Sequence, residues 1–236
     1  MGKLVDFRKD SPKQIAPGVS RVGITNGEGK HMMADVLKLE ANARHEAAAP
    51  AGSDQYFFTL TGEAALTVDG IRHVLGAGRF GILQEGKRYA LAAGEAPAEV
   101  LSVTAPPPAS GANLPGFAGG VKVMSKDDEP VDDIPAAKKQ RIYFVTQETC
   151  GSKRAHAMIV KYLPDTETTL HAHPDAESLF VFLEGTTRVT VNGKESRVTL
   201  GQATFFPSGD KHSLHGDSGP SNFLEFHIPY GYTTVR

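Results

Sequence analysis

The sequence predicts an all-β chain in which one unit is used twice. Two observations carry this. From Arg21 onward, short runs of strand-forming residues alternate with clusters of glycine, asparagine and aspartate, which favours a sandwich or barrel over alternating helix and strand. The chain also repeats itself. When Met33-Ala34-Asp35-Val36-Leu37-Lys38-Leu39 is laid on His156-Ala157-Met158-Ile159-Val160-Lys161-Tyr162, Gly62 meets Gly185 without a gap. Asp69-Gly70 then meets Asn192-Gly193, Gly78 meets Gly201 and Gly86 meets Gly209, a register that points to internal duplication.

Taken in order, residues 1–20 are polar and proline-spotted and read as an arm that packs late or swaps onto a neighbour. Strands are predicted over Met33 to Leu39, Gln55 to Leu60, Ala65 to Val68, Ile71 to Leu75, Phe80 to Leu83 and Val100 to Thr104, and no amphipathic helix stands out. The proline-rich Ala105 to Gly111 and the acidic Asp127 to Pro135 cannot continue a sheet. They divide the chain into units 1–111 and 112–236, with residues 112–140 crossing over to start the second.

Composition sets bounds on function. The 236 residues, 40% hydrophobic and 22% charged, are ordinary for a globular protein with a proper core. A net charge of −2 offers no broad field for nucleic acid or an anionic membrane. The short basic stretch Lys138-Lys139 and Arg141 reads as solvated surface. The single cysteine, Cys150, excludes an intrachain disulfide and fits a reducing compartment. There is no apolar run of about 18 residues, and the N-terminus lacks a secretory core, so a cytoplasmic location is expected.

The residues that carry chemistry lie between His171 and His212. His171 and His173, two apart, present both imidazoles on one face of an extended strand. Gly201-Gln202-Ala203-Thr204-Phe205-Phe206-Pro207-Ser208-Gly209-Asp210-Lys211-His212 delivers a third histidine through a glycine- and proline-marked turn. Neutral imidazole suits iron, zinc, copper and nickel alike, so three histidines from two strands predict an open metal site.

These two blocks, with the Asn192-Gly193 hairpin turn between them, resemble the two signature motifs of the cupin family. Asp165 stands where the first motif has its leading glycine, and Gly216 where the second ends in asparagine. The family's usual glutamate ligand falls by spacing on Ser178, with Glu177 one residue early. Family spacing also tolerates the shorter interval, which makes Glu177 the expected fourth ligand. On a regular strand, however, a one-residue slip turns a side chain to the other face, so Glu177 needs a bulge to reach the metal. Without it the site is three histidines, as in some dioxygenases of the family.

The resemblance implies a bicupin of two tandem jelly-roll β-barrels, with one divalent transition metal (Fe, Mn, Ni or Zn) in the C-terminal barrel only. In the first copy Ala48, Pro50, Gln55 and Tyr89 stand at the positions of His171, His173, Ser178 and His212. That barrel is expected to be metal-free, either structural or holding an organic ligand beside Gln55 and Tyr89.

Strand alternation places Ser178, Phe180 and Phe182 on the metal side. In the last strand it sorts Leu224, Phe226 and Ile228 from Phe223, Glu225 and His227, and either face could be the inner one. Glu225 and His227 are the candidate catalytic groups, one as general base and the other to orient substrate. The expected function is that of a metal-dependent enzyme, dioxygenase-like, acting on a small organic acid or related metabolite. The alternatives are a non-enzymatic binding or storage cupin, and a metal-dependent isomerase, lyase or hydrolase. A small molecule is the expected partner, with no nucleic acid or membrane, and the resemblance leaves room for a homodimer.

Overall fold

Four antiparallel sheets hold nearly all of the chain, and each half contributes one large and one small sheet in the same strand order. The computed structural model describes residues 1–236. In the first half, a seven-stranded sheet runs Val121–Ser125, Arg79–Leu83, Asp54–Thr61, Ala98–Ala105, Met33–Leu39, Val19–Gly23, Lys13–Ala16. It faces a four-stranded sheet of Arg44–Ala48, Arg88–Ala93, Glu63–Val68 and Ile71–Gly76. The second half repeats this with Lys3–Asp6, Gln202–Phe206, Glu177–Glu184, Ser221–Ile228, His156–Tyr162, Lys139–Val145, Val131–Ile134, and a small sheet of Glu167–His171, His212–Gly216, Thr186–Val191 and Lys194–Thr199. The fold is two tandem jelly-roll barrels related by duplication.

Strand pairing crosses the expected 111/112 boundary in both directions. Lys3–Asp6 pairs with Gln202–Phe206 of the second barrel, and Val121–Ser125 pairs with Arg79–Leu83 of the first. Each copy's leading strand therefore caps the edge of the other copy's large sheet, and neither of those edges is left open for aggregation.

The large sheets are covered on both faces, which is why their sequences read as nearly continuous apolar runs. Phe57 points into the first barrel with Leu37, Leu66 and Leu91, while Tyr56 and Phe58 point out of it. Likewise Phe180 and Phe182 enter the second barrel, and Leu179 and Val181 leave it. The outward residues of both sheets meet in one central core, where the Phe80 and Phe144 rings stack at 4.8 Å. Each buried Phe there contributes roughly 1.5–3 kcal/mol, so the barrels are fused by hydrophobic burial rather than merely linked.

The repeated glycines have a backbone reason. Gly62 and Gly185 adopt φ of 72° and 71°, and a Cβ would lie 2.3 Å from the Pro97 carbonyl oxygen and 2.2 Å from that of Pro220. Only glycine tolerates both demands. Arg44–Ala48 and Arg88–Ala93 are not anticipated because alanine and glutamate have low β-propensity; pairing to each other, and of Arg88–Ala93 to Glu63–Val68, fixes them instead. Against expectation the acidic stretch does continue a sheet, since Val131–Ile134 pairs with Lys139–Val145 at the edge, where only one side needs a partner. Among the described residues no helix is long and apolar enough to cross a membrane.

Candidate metal centre

His171 closes its strand directly opposite His212, across a register shift that follows Thr168. His173 lies two residues beyond His171, just past the strand end. All three rings are buried, with centroids separated by 4.4, 4.9 and 5.5 Å. One nitrogen from each lies within 4.8 Å of the other two.

The outer nitrogen of each ring is tied to a backbone carbonyl. His171 Nδ1 donates to the Thr169 oxygen (2.8 Å), His173 Nδ1 to that of Thr233 (2.8 Å) and His212 Nδ1 to that of Asp210 (3.0 Å). These bonds fix the tautomer and turn each Nε2 lone pair inward. The Nε2 atoms of His173 and His212 are buried without any hydrogen-bond partner, a costly state for a polar atom unless something binds there. Burial, joined by the neighbouring imidazoles, holds His173 down to about 4 and His212 to about 3, so both rings are neutral, as metal ligands must be. The donor set, tautomers and orphaned nitrogens fit one divalent metal.

Glu177 does not join them. Its strand runs regularly from Glu177, so its carboxylate faces the barrel interface and accepts hydrogen bonds from the backbone N–H groups of Lys30 (2.7 Å), His31 (2.9 Å) and Met32 (3.1 Å). Expected as a fourth ligand, it is instead a clasp between the barrels, and Ser178 takes the pocket side. Asp54, in register with Glu177, does the same job in reverse. It accepts from Phe117 N (3.0 Å), Ser152 Oγ (2.7 Å) and Arg154 Nη1 (3.0 Å) of the following segment.

The inner face of the last strand is the one bearing Phe223, Glu225 and His227, because Leu224, Phe226 and Ile228 enter the central core. His227 Nε2 donates to Glu225 Oε1, and its Nδ1 accepts from the Ser178 hydroxyl at 3.0 Å. Burial opposes a charge on Glu225, but His227 beside it and then Arg141 outweigh that and hold the carboxyl down at about 2. The His227 ring lies 4.6 Å from that of His173.

A cavity of about 180 Å³ opens onto this group. Three parts of its wall escape sequence reading. Lys139 and Arg141, expected on the solvated surface, line the cavity, because the strand Lys139–Val145 directs alternate residues to one face. Burial and the nearby Arg141 lower the Lys139 pKa, while Glu225 opposes them. The segment 229–236 crosses the mouth. Val235 makes a two-way backbone bridge with Ala172 (2.9 Å each), Tyr232 packs 4.1 Å from the His227 ring, and Thr234 and Arg236 line the cavity. Only the period-two placement of Lys139, Arg141 and Tyr143 could have signalled any of this.

The first barrel holds no counterpart. Gln55 is bonded to Ser102 Oγ (2.8 Å) and the Val103 carbonyl (3.1 Å), and Tyr89 packs against Phe57 within the apolar interior. Among the described residues only the three histidines of the second barrel form a cluster able to hold a metal.

Residues 158–227 match the family described as Cupin domain. No curated protein matches the sequence. Over 96% to 98% of its length the chain superposes on solved structures of low identity. One is the protein Ylba from E. coli, with TM-score 0.78, 11% identity and coverage of 96% of this chain and 90% of that one. Another is the formate complex of Lactobacillus farciminis oxalate decarboxylase, with TM-score 0.72, 16% identity and coverage of 98% and 87%. A third is Bacillus subtilis oxalate decarboxylase OxdC, described for its Mn(II) centres, with TM-score 0.69, 14% identity and coverage of 98% and 78%.

Proposed function

We propose that this two-barrel chain, whose residues 158–227 match the Cupin domain family, carries in its second barrel a metal-dependent enzyme acting on a small organic metabolite. The observation that carries this reading is the convergence of three imidazoles, each fixed by a carbonyl on its far side, beside a cavity that His171 and His173 line. His171, His173 and His212 would hold the metal. With three protein ligands, a bound divalent ion supplies Lewis acidity and open positions for substrate or dioxygen.

The chain's own groups supply the rest. Glu225 Oε1 is engaged by His227 Nε2, which leaves Oε2 for a ligand in the cavity. Glu225 would stay ionised there and accept a hydrogen bond from the substrate's transferring proton, with His227 stabilising its charge and the Ser178 hydroxyl holding the His227 ring in place. Tyr232 and the segment around it shield this end from bulk water. A three-histidine site of this kind supports dioxygenase chemistry first. The Glu225–His227 pair favours a second reading, proton-transfer chemistry of the isomerase, lyase or hydrolase type.

Elemental analysis of purified protein, followed by oxygen uptake with catechols, gentisate, β-diketones and thiols, separates the two. Iron with uptake supports the dioxygenase. Zinc, nickel or manganese without uptake removes it and leaves the proton-transfer reading. Absence of any stoichiometric metal overturns both.

A further inference from the structure

The cavity is more basic than its chemistry at the histidines requires. Lys139, Arg141 and Arg236 all line it against a single carboxylate, Glu225, whose Oε1 is hydrogen-bonded to His227. Among the described residues none of the three cations makes a salt bridge. Lys139 Nζ donates to the Thr168 hydroxyl at 2.6 Å, and Arg141 Nη1 donates to the Tyr143 hydroxyl at 3.2 Å. Arg141 Nε is buried without a partner. A guanidinium has five donors in a fixed fork that matches a carboxylate, and a buried N–H of that fork without an acceptor marks a place where an acceptor belongs.

We propose that Lys139, Arg141 and Arg236 form an anion cradle that selects a small carboxylate and holds it against the three histidines. The proposal rests on the reading of the second-barrel cavity as the working site and adds the substrate class to it. Size is consistent with that class: a cavity of about 180 Å³ has room for an acid of a few carbons. The cradle is built from two separate parts of the chain. Lys139 and Arg141 come from a strand of the large sheet. Arg236 comes from the segment pinned at Ala172, whose Thr233 carbonyl also orients His173. Carboxylate recognition and the ligand geometry of the centre thus share one support.

The test is calorimetric titration with malonate and with its neutral isostere malonamide, on protein whose metal content is measured in the same preparation. Wild type is expected to prefer malonate at least tenfold. Arg141→Gln should weaken malonate about ten- to a hundredfold, the range for losing a charge-assisted hydrogen bond, and the exposed Arg236→Gln about two- to fivefold, both while keeping the wild-type metal content. Arg236 is exposed, so its variant should fold even if the Arg141 variant does not. Equal binding of malonate and malonamide, or undiminished malonate binding by Arg236→Gln and a folded Arg141 variant, overturns the cradle. Metal content decides the other reading separately. Bound metal without anion preference removes the cradle alone, and anion preference without metal removes the metal-centred function alone.

Discussion

The two barrels share strand order, turn glycines and edge capping, yet one is filled and the other is hollowed. Inside the first, Phe57, Leu66, Tyr89 and Leu91 pack an apolar interior. Inside the second, Met158, Val160, Phe180 and Phe206 fill part of the space, and the remainder holds three imidazoles, the Glu225–His227 pair and a cavity. The contrast separates what the scaffold needs from what the chemistry needs. The central core and the clasps occur on both sides, whereas inward histidines occur on one. A barrel interior of this size can be a hydrophobic core or a site, and Ala48, Pro50 and Tyr89 commit the first copy to core.

The sharpest break in the comparison comes from the histidines. His171→Ala and His212→Ala should each lose bound metal while retaining the wild-type circular dichroism spectrum. Metal kept at full occupancy in both variants would mean that it sits elsewhere.

The clasps come next, because they are duplicated but unequal. Asp54 is fully buried and paired with Arg154, so Asp54→Ala should cost about 3–5 kcal/mol, as for breaking a buried ion pair. Glu177→Gln keeps part of its hydrogen bonding and should cost only about 1–3 kcal/mol, with metal content unchanged. Denaturant unfolding and elemental analysis check both, and loss of metal in Glu177→Gln would restore Glu177 as a ligand.

A smaller effect is expected on acidification. In metal-stripped protein, burial keeps His173 near about 4 and His212 near about 3, against an ordinary 6.5. As pH falls below about 6.5, the unfolded chain binds protons that the folded site refuses. Stability should therefore be full above that value and decline as pH falls toward about 3. Thermal midpoints across this window should fall less steeply for His212→Ala than for the wild-type apoprotein. Equal slopes would contradict the burial argument. The smallest effect is none at all: Tyr89→His should add no metal to the first barrel, since Ala48 and Pro50 leave it without partners.

What the sequence disclosed and what it concealed divide along physical lines. The duplication, the glycine turns and the three histidines depend on local geometry and fixed spacing, and all are legible. The fate of Glu177 is not. Its neighbours Lys30, His31 and Met32 come from the other copy, and strand register alone said only that it should face away. Lys139 and Arg141 looked like surface because nothing local reveals that the segment 229–236 folds back over them. The exchanged strands Lys3–Asp6 and Val121–Ser125 are hidden for the same reason, since such short segments take their structure from the edge that receives them.

The most direct test is anomalous diffraction from crystals of the full chain grown with added divalent metal. One peak is expected, within bonding distance of His171, His173 and His212 Nε2 and more distant from Glu177, with no peak inside the first barrel. A peak elsewhere, or bare imidazoles at saturating metal, would contradict the account.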